Sequence, residues 1–379
     1  MKKAVIAGYV RSPFTPAFKG EMAQVRPDEL ASQVVRTLVE RTKVNPADIE
    51  DLILGCAFPE GEQGLNVARL VVFLAGLPVT VAGTTVNRFC GSSMQAIHMA
   101  AGNIAAGMGD VFIAGGVESM SRVPMTGFNP LPHPGLFEKY PEAYESMGIT
   151  AENLAKKYQI KRRAQEEFAL ASHKKALQAT EKGAFFEEII PIKYEGNVIE
   201  KDACVRADTD MESLASLKPV FDAKGTVTAG TASPLTDGAS AVLVCSEEYA
   251  NKHKLPILAK IRSFALSGCA PEIMGIGPVE ATRKALERAG LTLAEMDIIE
   301  LNEAFSAQSM AVISELGINT DKLNLDGGAI AIGHPLGASG ARITGKAALL
   351  LKRTRGRYAL ATMCIGGGQG IATVLESTL

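Results

Sequence analysis

The sequence predicts an α/β protein made of two related units with a long segment inserted between them. Three observations predict it. Strand-like apolar runs alternate with amphipathic helix patterns along the chain. The order of these elements repeats. Leu293-Ala-Glu-Met-Asp-Ile-Ile-Glu-Leu301 copies the turn-into-strand of residues 46–54 at an offset of 293 − 46 = 247, and Leu336-Gly-Ala-Ser-Gly-Ala-Arg-Ile343 mirrors Cys90-Gly-Ser-Ser-Met-Gln-Ala-Ile97 at 336 − 90 = 246. Between the copies, residues 121–236 change character, opening on a loop with Pro124, Pro130, Pro132, Pro134 and Gly135.

In chain order, Lys3–Gly8 reads as a strand and Asp28–Thr42 as a helix with Leu30, Val34, Leu38 and Val39 on one face. Pro46–Gly55 runs from a turn into a second strand. The Cys90 helix and a strand from Val111 to Gly116 follow. In the insertion, Thr150–Tyr158, opening on a Thr-x-x-Asn cap, and Arg162–Lys182 read as helices, and Val198–Gly230 as polar and turn-rich. Asp237–Cys245 returns to strand character and is expected to rejoin the first unit. Pro278–Ala289 is a helix with Val279, Thr282, Ala285 and Leu286 at helical spacing, and Tyr358–Met363 is the closing strand. The expected organisation is a first half over residues 1–120 rejoined by 237–257, a loop domain over 121–236, and a second half over 258–379.

At 379 residues the chain exceeds what one core serves. A net charge of −2 argues against a nucleic-acid-binding surface, so anionic ligands must be met locally. The N-terminal apolar run, ended by Gly8, Arg11 and Pro13, reads as a strand and not as a signal peptide or membrane span. The six cysteines lack C-x-x-C spacing, which fits free thiols in a reducing cytoplasm and no metal site.

Chemistry concentrates at element ends. Cys90 follows the apolar run ending at Val86 and precedes a helix. There the unpaired N–H groups and the helix dipole are expected to favour thiolate over thiol. Asn302 stands at the end of the repeated strand, where α/β sheets place ligands. His334 precedes the helix that mirrors the Cys90 helix. Cys364 ends the last predicted strand, before Gly366-Gly-Gly368, whose backbone can aim N–H donors at a reacting group. The G-x-G-x-x-G spacing fails around Gly327–Gly340, which argues against a dinucleotide site. His98, His133, His173 and His253 read as ordinary surface or helix residues.

The motifs Asn87-Arg-Phe-Cys90-Gly-Ser-Ser, Gly115-Gly-Val-Glu-Ser-Met120, Gly225-Thr-Val-Thr-Ala-Gly230, Asn302-Glu-Ala-Phe305, Gly333-His-Pro335 and Cys364-Ile-Gly-Gly-Gly368 resemble those of the thiolase family over the entire length. The resemblance implies a layered α/β/α/β/α core of two mixed five-stranded sheets, with helices packed centrally and a loop domain over the site. It implies that Cys90 attacks and carries the acyl group after His334 takes its proton. Cys364, with a near-neutral thiol pKa, would protonate the leaving enolate and later deprotonate coenzyme A. One oxyanion would face His334 and a water held by Asn302, and the other the N–H groups of Cys90 and Gly366. Coenzyme A, a substrate and not a resident cofactor, would contact Arg206, Ser213, Phe221, Ser233, Met147 and Phe305.

Thr231, Ser146 and the Gly-Ser-Ser-Met-Gln after Cys90 resemble the degradative 3-ketoacyl-CoA type. Glu118-Ser-Met-Ser and Cys364-Ile-Gly-Gly-Gly also resemble the biosynthetic acetoacetyl-CoA type, which stays the alternative. Decarboxylating ketosynthases place histidine where this chain has Asn302 or Cys364. A non-catalytic acyl-CoA or lipid carrier would not need the full Cys–His–Cys–Asn set. The family further implies a homodimer or homotetramer and association with a hydratase/dehydrogenase of β-oxidation.

Overall fold

The repeat in the sequence is a repeat of sheet topology in the computed structural model, which describes residues 2–378. In the first half, Asp51–Gly55 lies parallel between Ala82–Val86 and Val111–Ser119. Thr236–Ser246 then pairs antiparallel with Val111–Ser119, and Ala4–Arg11 antiparallel with Thr236–Ser246. The second half has the same order: Ile298–Leu301 parallel to Tyr358–Ile365, then Gln369–Glu376 and Ala259–Gly268, each antiparallel to its neighbour. The place matching Ala82–Val86 is held only by an isolated parallel bridge between Ile299 and Leu323. The halves join edge to edge through Val5–Lys260 and Ile6–Ala259.

The expected strands form because their apolar runs are covered on both faces. Every residue of Ala4–Arg11, Val111–Ser119 and Thr236–Ser246 is buried. The first helix, Pro27–Thr42, opens on Pro27 and ends where Lys43 turns left-handed at φ 58°, and it buries Leu30, Val34, Leu38 and Val39 as its spacing predicts. Two expectations are corrected. Helix Met147–Lys157 is capped by the Ser146 hydroxyl, not by Thr150, whose own hydroxyl bonds back to the Met147 carbonyl. Tyr358–Ile365 is not the closing strand. Gly366–Gly368, with Gly367 and Gly368 at φ 75° and 80°, turn the chain into a hairpin that returns as Gln369–Glu376. A three-residue glycine turn carries little hydrophobic signal, which hid the last strand.

The mirrored helices, Ser92–Ala106 and Leu336–Thr354, pack against each other and against the sheet. Their approach is so close that glycine is required. A Cβ on Gly340 would lie 2.4 Å from the Met94 nitrogen, and one on Gly116 would lie 2.0 Å from the Gly337 carbonyl oxygen. The Ser93 hydroxyl accepts from the Ala341 N–H at 2.8 Å across this seam.

The insertion is fastened by buried charge. Arg11, on the first strand, forms a two-pronged pair with Asp202 at 2.7 Å and bonds Glu188 at 2.8 Å. Glu188 also holds Lys346 of the long second-half helix at 3.0 Å. These side chains are almost fully buried, so removing one partner would strand a charge in low dielectric. All six cysteines are free. Among the described residues no helix is long and apolar enough to cross a membrane.

The helix seam makes a prediction with a definite sign. Gly→Ala inside a helix ordinarily stabilises by about 0.5–1 kcal/mol. Gly340→Ala should instead destabilise by about 1–3 kcal/mol in urea unfolding, because the new methyl has nowhere to go. Unchanged or raised stability would contradict the packing described.

Candidate active site

Cys90 closes a tight turn after Ala82–Val86. Phe89 is left-handed at φ 42°, the Gly91 and Ser92 N–H groups bond the Arg88 and Phe89 carbonyls at 3.0 and 3.1 Å, and the Arg88 N–H bonds the Ser92 hydroxyl at 2.9 Å. The sulfur is therefore faced by other donors: the N–H of Gly366, from the glycine hairpin of the second half, and the N–H of Cys90 itself. Asn302 and Cys364 sit at one end of adjacent parallel strands, the Asn302 N–H bonding the Thr362 carbonyl at 3.0 Å. Cys90 lies near enough to Cys364 for a charge on its sulfur to be felt there.

His334 is held at both ring nitrogens. Its Nδ1 lies 2.5 Å from the Ser339 oxygen, and the Ser339 hydroxyl donates to the Pro335 carbonyl at 3.0 Å. With its proton committed there, Ser339 accepts the Nδ1–H, and the lone pair is fixed on Nε2. Asn302 Nδ2 donates to that Nε2 at 3.3 Å, while Asn302 Oδ1 is buried without a protein partner. The His334 N–H bonds the Thr236 hydroxyl at 3.0 Å. Burial, helped by the Arg342 charge, depresses the His334 pKa to about 3, so the ring is a neutral base.

Two thiol expectations are overturned. Burial raises the Cys90 pKa to about 12, with the Gly366 N–H offsetting only part and the Glu118 charge adding to the rise. The dipole argument fails here because burial outweighs it, and the Gly91 and Ser92 N–H groups are spent on the Arg88 and Phe89 carbonyls. Cys364 is likewise pushed well up, by burial first and then by Cys90. Both sulfurs rest as thiols, so a thiolate forms only when a neighbouring base takes the proton.

Phe221, Phe305, Met147 and Ser233 form one group. The two rings meet edge-on at 5.8 Å, Gly148 leaves room for Phe221, and Met147 reaches beside Gly366. Ser233 is tied to the Asn302–Phe305 segment through its N–H on the Ala304 carbonyl at 2.9 Å. Arg206 and Ser213 lie outside this group. Arg206 is exposed, and the Ser213 hydroxyl is engaged in the capping box of helix Met211–Ser216 with Asp210. Two histidines read as ordinary prove buried: His98 stacks on Phe264 at 4.4 Å, and His173 accepts the Arg206 N–H at 3.2 Å.

Sequence reasoning passed over Ser339 and Glu118 as functional residues, though both lie inside quoted motifs. Glu118, fully buried, accepts from the Ala57 and Gly337 N–H groups at 2.8 Å, from Phe58 N–H at 3.3 Å and from Gln63 Nε2 at 2.8 Å. It fixes the start of the helix behind His334. The unusual signal was a glutamate inside an apolar strand run, Gly115-Gly-Val-Glu-Ser.

The family model "Thiolase, N-terminal domain" matches residues 4–248, and "Thiolase, C-terminal domain" matches residues 255–377. The chain belongs to the thiolase family. It is an acyltransferase of that family with the mixed α/β thiolase fold. This thiolase is 49% identical to the 3-ketoacyl-CoA thiolase of Aliivibrio fischeri and 47% identical to that of Bacillus subtilis, in each case over 99% of this chain and 100% of the relative. Among solved structures, human mitochondrial 3-ketoacyl-CoA thiolase superposes with a TM-score of 0.92 at 37% identity, covering 100% of this chain and 99% of that one. The Bacillus anthracis acetyl-CoA acetyltransferase does so with 0.91 at 41% identity, over 99% of each chain.

Two predictions follow from the geometry. Ser339→Ala should lower kcat about 10- to 100-fold with little change in KM, since loss of the ring's anchor leaves the tautomer unspecified; an unaltered kcat would remove Ser339 from the site's design. Because Cys90 rests as a thiol beside a base that is neutral throughout this range, its alkylation by iodoacetamide should change little from pH 7 to 9 and fall at least about 10-fold in His334→Ala, whose residual rate should climb with pH. A rate unchanged in His334→Ala would instead mean a resident thiolate.

Proposed function

We propose that this thiolase cleaves 3-ketoacyl-CoA with coenzyme A, giving acetyl-CoA and a shortened acyl-CoA. The observation that carries the reading is the pairing of two buried thiols with one neutral, anchored imidazole. Full-length relatives near 50% identity bearing the 3-ketoacyl-CoA thiolase name support it.

His334 Nε2 takes the Cys90 proton, and the sulfur attacks the keto carbon of the substrate. The bond between C2 and C3 breaks, leaving an acyl-Cys90 thioester and the enolate of acetyl-CoA. Cys364 gives its proton to the enolate carbon. Burial suits this step, since it keeps Cys364 protonated until a strong base arrives. The Cys364 thiolate then takes the proton of incoming CoA, whose sulfur displaces Cys90, and His334 returns the proton to Cys90. Cys90 and Gly366 N–H groups meet the tetrahedral oxyanion, while His334 and a water on Asn302 meet the enolate oxygen. Each such donor is worth about 3 kcal/mol of barrier. Phe221, Phe305, Met147 and Ser233 line the pantetheine path, and Arg206 and Ser213 serve the nucleotide end.

The cellular role we assign is fatty-acid β-oxidation in the cytoplasm, by a homodimer or homotetramer working beside a hydratase/dehydrogenase, with no permanently bound cofactor. The partly exposed edge strand Ala82–Val86 supports self-association. The loop domain over residues 121–236 is read as the cover that binds CoA. Acetoacetyl-CoA thiolase activity in the condensing direction is the second reading. It is favoured by the close superposition on the acetyl-CoA acetyltransferase.

Thiolysis assays with acetoacetyl-CoA and a long-chain 3-ketoacyl-CoA separate the two readings. Comparable or better kcat/KM on the long chain is expected, and activity confined to acetoacetyl-CoA would transfer the assignment to the biosynthetic type. Cys364→Ala should still be acylated at Cys90 by a simple thioester yet lose carbon–carbon cleavage; surviving cleavage would refute the role given to Cys364.

A further inference from the structure

Two neighbouring residues of the insertion, Ser172 and His173, face two different parts of the site. Both are buried on helix Arg162–Glu181. The Ser172 hydroxyl donates to Glu303 Oε2 at 2.6 Å and accepts the Gly328 N–H at 3.0 Å. Glu303 directly follows Asn302 and is 2% exposed. It also accepts from Asn324 Nδ2 at 2.8 Å and from the Ile330 N–H at 3.3 Å. Gly328 and Ile330 belong to the short turn that runs through Gly333, at φ 109°, into His334. The fit is tight, because a Cβ on Gly328 would come within 2.0 Å of the Glu303 carboxyl carbon. One side chain of the insertion thus reaches, through one buried carboxylate, both the Asn302 strand end and the His334 loop.

His173 points elsewhere. Its Nδ1 accepts the Arg206 N–H at 3.2 Å, which fixes the backbone of the segment carrying Arg206.

We infer that Ser172 and His173 make this helix a positioning element joining the two ends of the site, Ser172–Glu303 setting the Asn302 and His334 geometry and His173 setting the Arg206 segment. Neither residue touches reacting atoms. The inference rests on the reading of Arg206 as a coenzyme A contact for its second half only. The helix therefore divides its work: one residue acts on turnover, the next on coenzyme A capture.

The test is steady-state thiolysis with CoA varied, together with iodoacetamide labelling of Cys90, which needs no assumption about substrate. Ser172→Ala should lower kcat about 10- to 100-fold while the KM for CoA stays within about two-fold. It should also slow Cys90 labelling, because His334 is no longer held in place. Ser172→Cys, a weaker donor of similar size, should fall between Ala and wild type, and it stands in if the alanine variant does not fold. His173→Gln should raise the KM for CoA about 2- to 10-fold, the value of one lost hydrogen bond, with a smaller change in kcat. It should leave Cys90 labelling unchanged. His173→Asn, which keeps a short acceptor, should recover part of the affinity.

Equal effects of the Ser172 and His173 variants on both constants would mean a merely structural helix and would overturn the inference. So would a Ser172→Ala enzyme with normal kcat and normal labelling. A labelling defect in Ser172→Ala in a protein without thiolysis activity would sustain the positioning role while refuting the proposed reaction, so the two claims fail separately.

Discussion

The close seam between Ser92–Ala106 and Leu336–Thr354 is the constraint on which the rest depends. Cys90 comes from the first half and His334, Asn302, Cys364 and Gly366 from the second. They can share one site only if the two helix starts approach to backbone contact. Gly116, Gly337 and Gly340 permit that approach, and Glu118 locks it by accepting from Gly337 on one side and from the Ala57–Phe58 turn on the other. A Cβ at any of these glycines would meet backbone atoms at 2.0–2.8 Å and push the two helix starts apart.

Burial then sets the chemistry. Packing the site between two α/β halves removes water from both thiols and the imidazole, and the cost of a buried charge leaves all three neutral at rest. A neutral site of this kind has no standing nucleophile to be lost to side reactions. In the proposed reaction charge appears only as proton transfer and bond formation proceed, where the Gly366 and Cys90 N–H groups would meet it. The same low dielectric makes the Ser339 anchor worth having, since the position of a single proton on His334 decides whether Nε2 can accept another.

Buried carboxylates do much of the fastening. Glu118 and Glu303 each accept from backbone N–H groups of loops that carry site residues. Glu188 and Asp202 pin the insertion to Arg11 and Lys346. In each case the acid holds together segments from distant parts of the chain. Ser172 and Glu303 stand 131 residues apart and Glu118 and Gly337 219, so no fixed spacing in the sequence marked Glu303 as the clamp on the His334 loop.

The α/β class, the duplication and most elements were legible in the sequence, because they rest on local periodicity and on copied patterns 246 and 247 residues apart. The order of strands in the second half, down to its antiparallel pair, follows the first. The candidate residues Cys90, Asn302, His334 and Cys364 were legible for the same reason: each stands at an element end that hydrophobic patterning marks. The glycine hairpin after Cys364 was not, since a turn of three glycines has no periodicity to read. The protonation states were not either. A helix-start cysteine reads as a thiolate when only neighbours in sequence are counted, and only the tertiary structure decides that its water is excluded. Sequence by itself determined which groups could react; the fold, through burial and long-range hydrogen bonds, decided their charge, their partners and which of them meet.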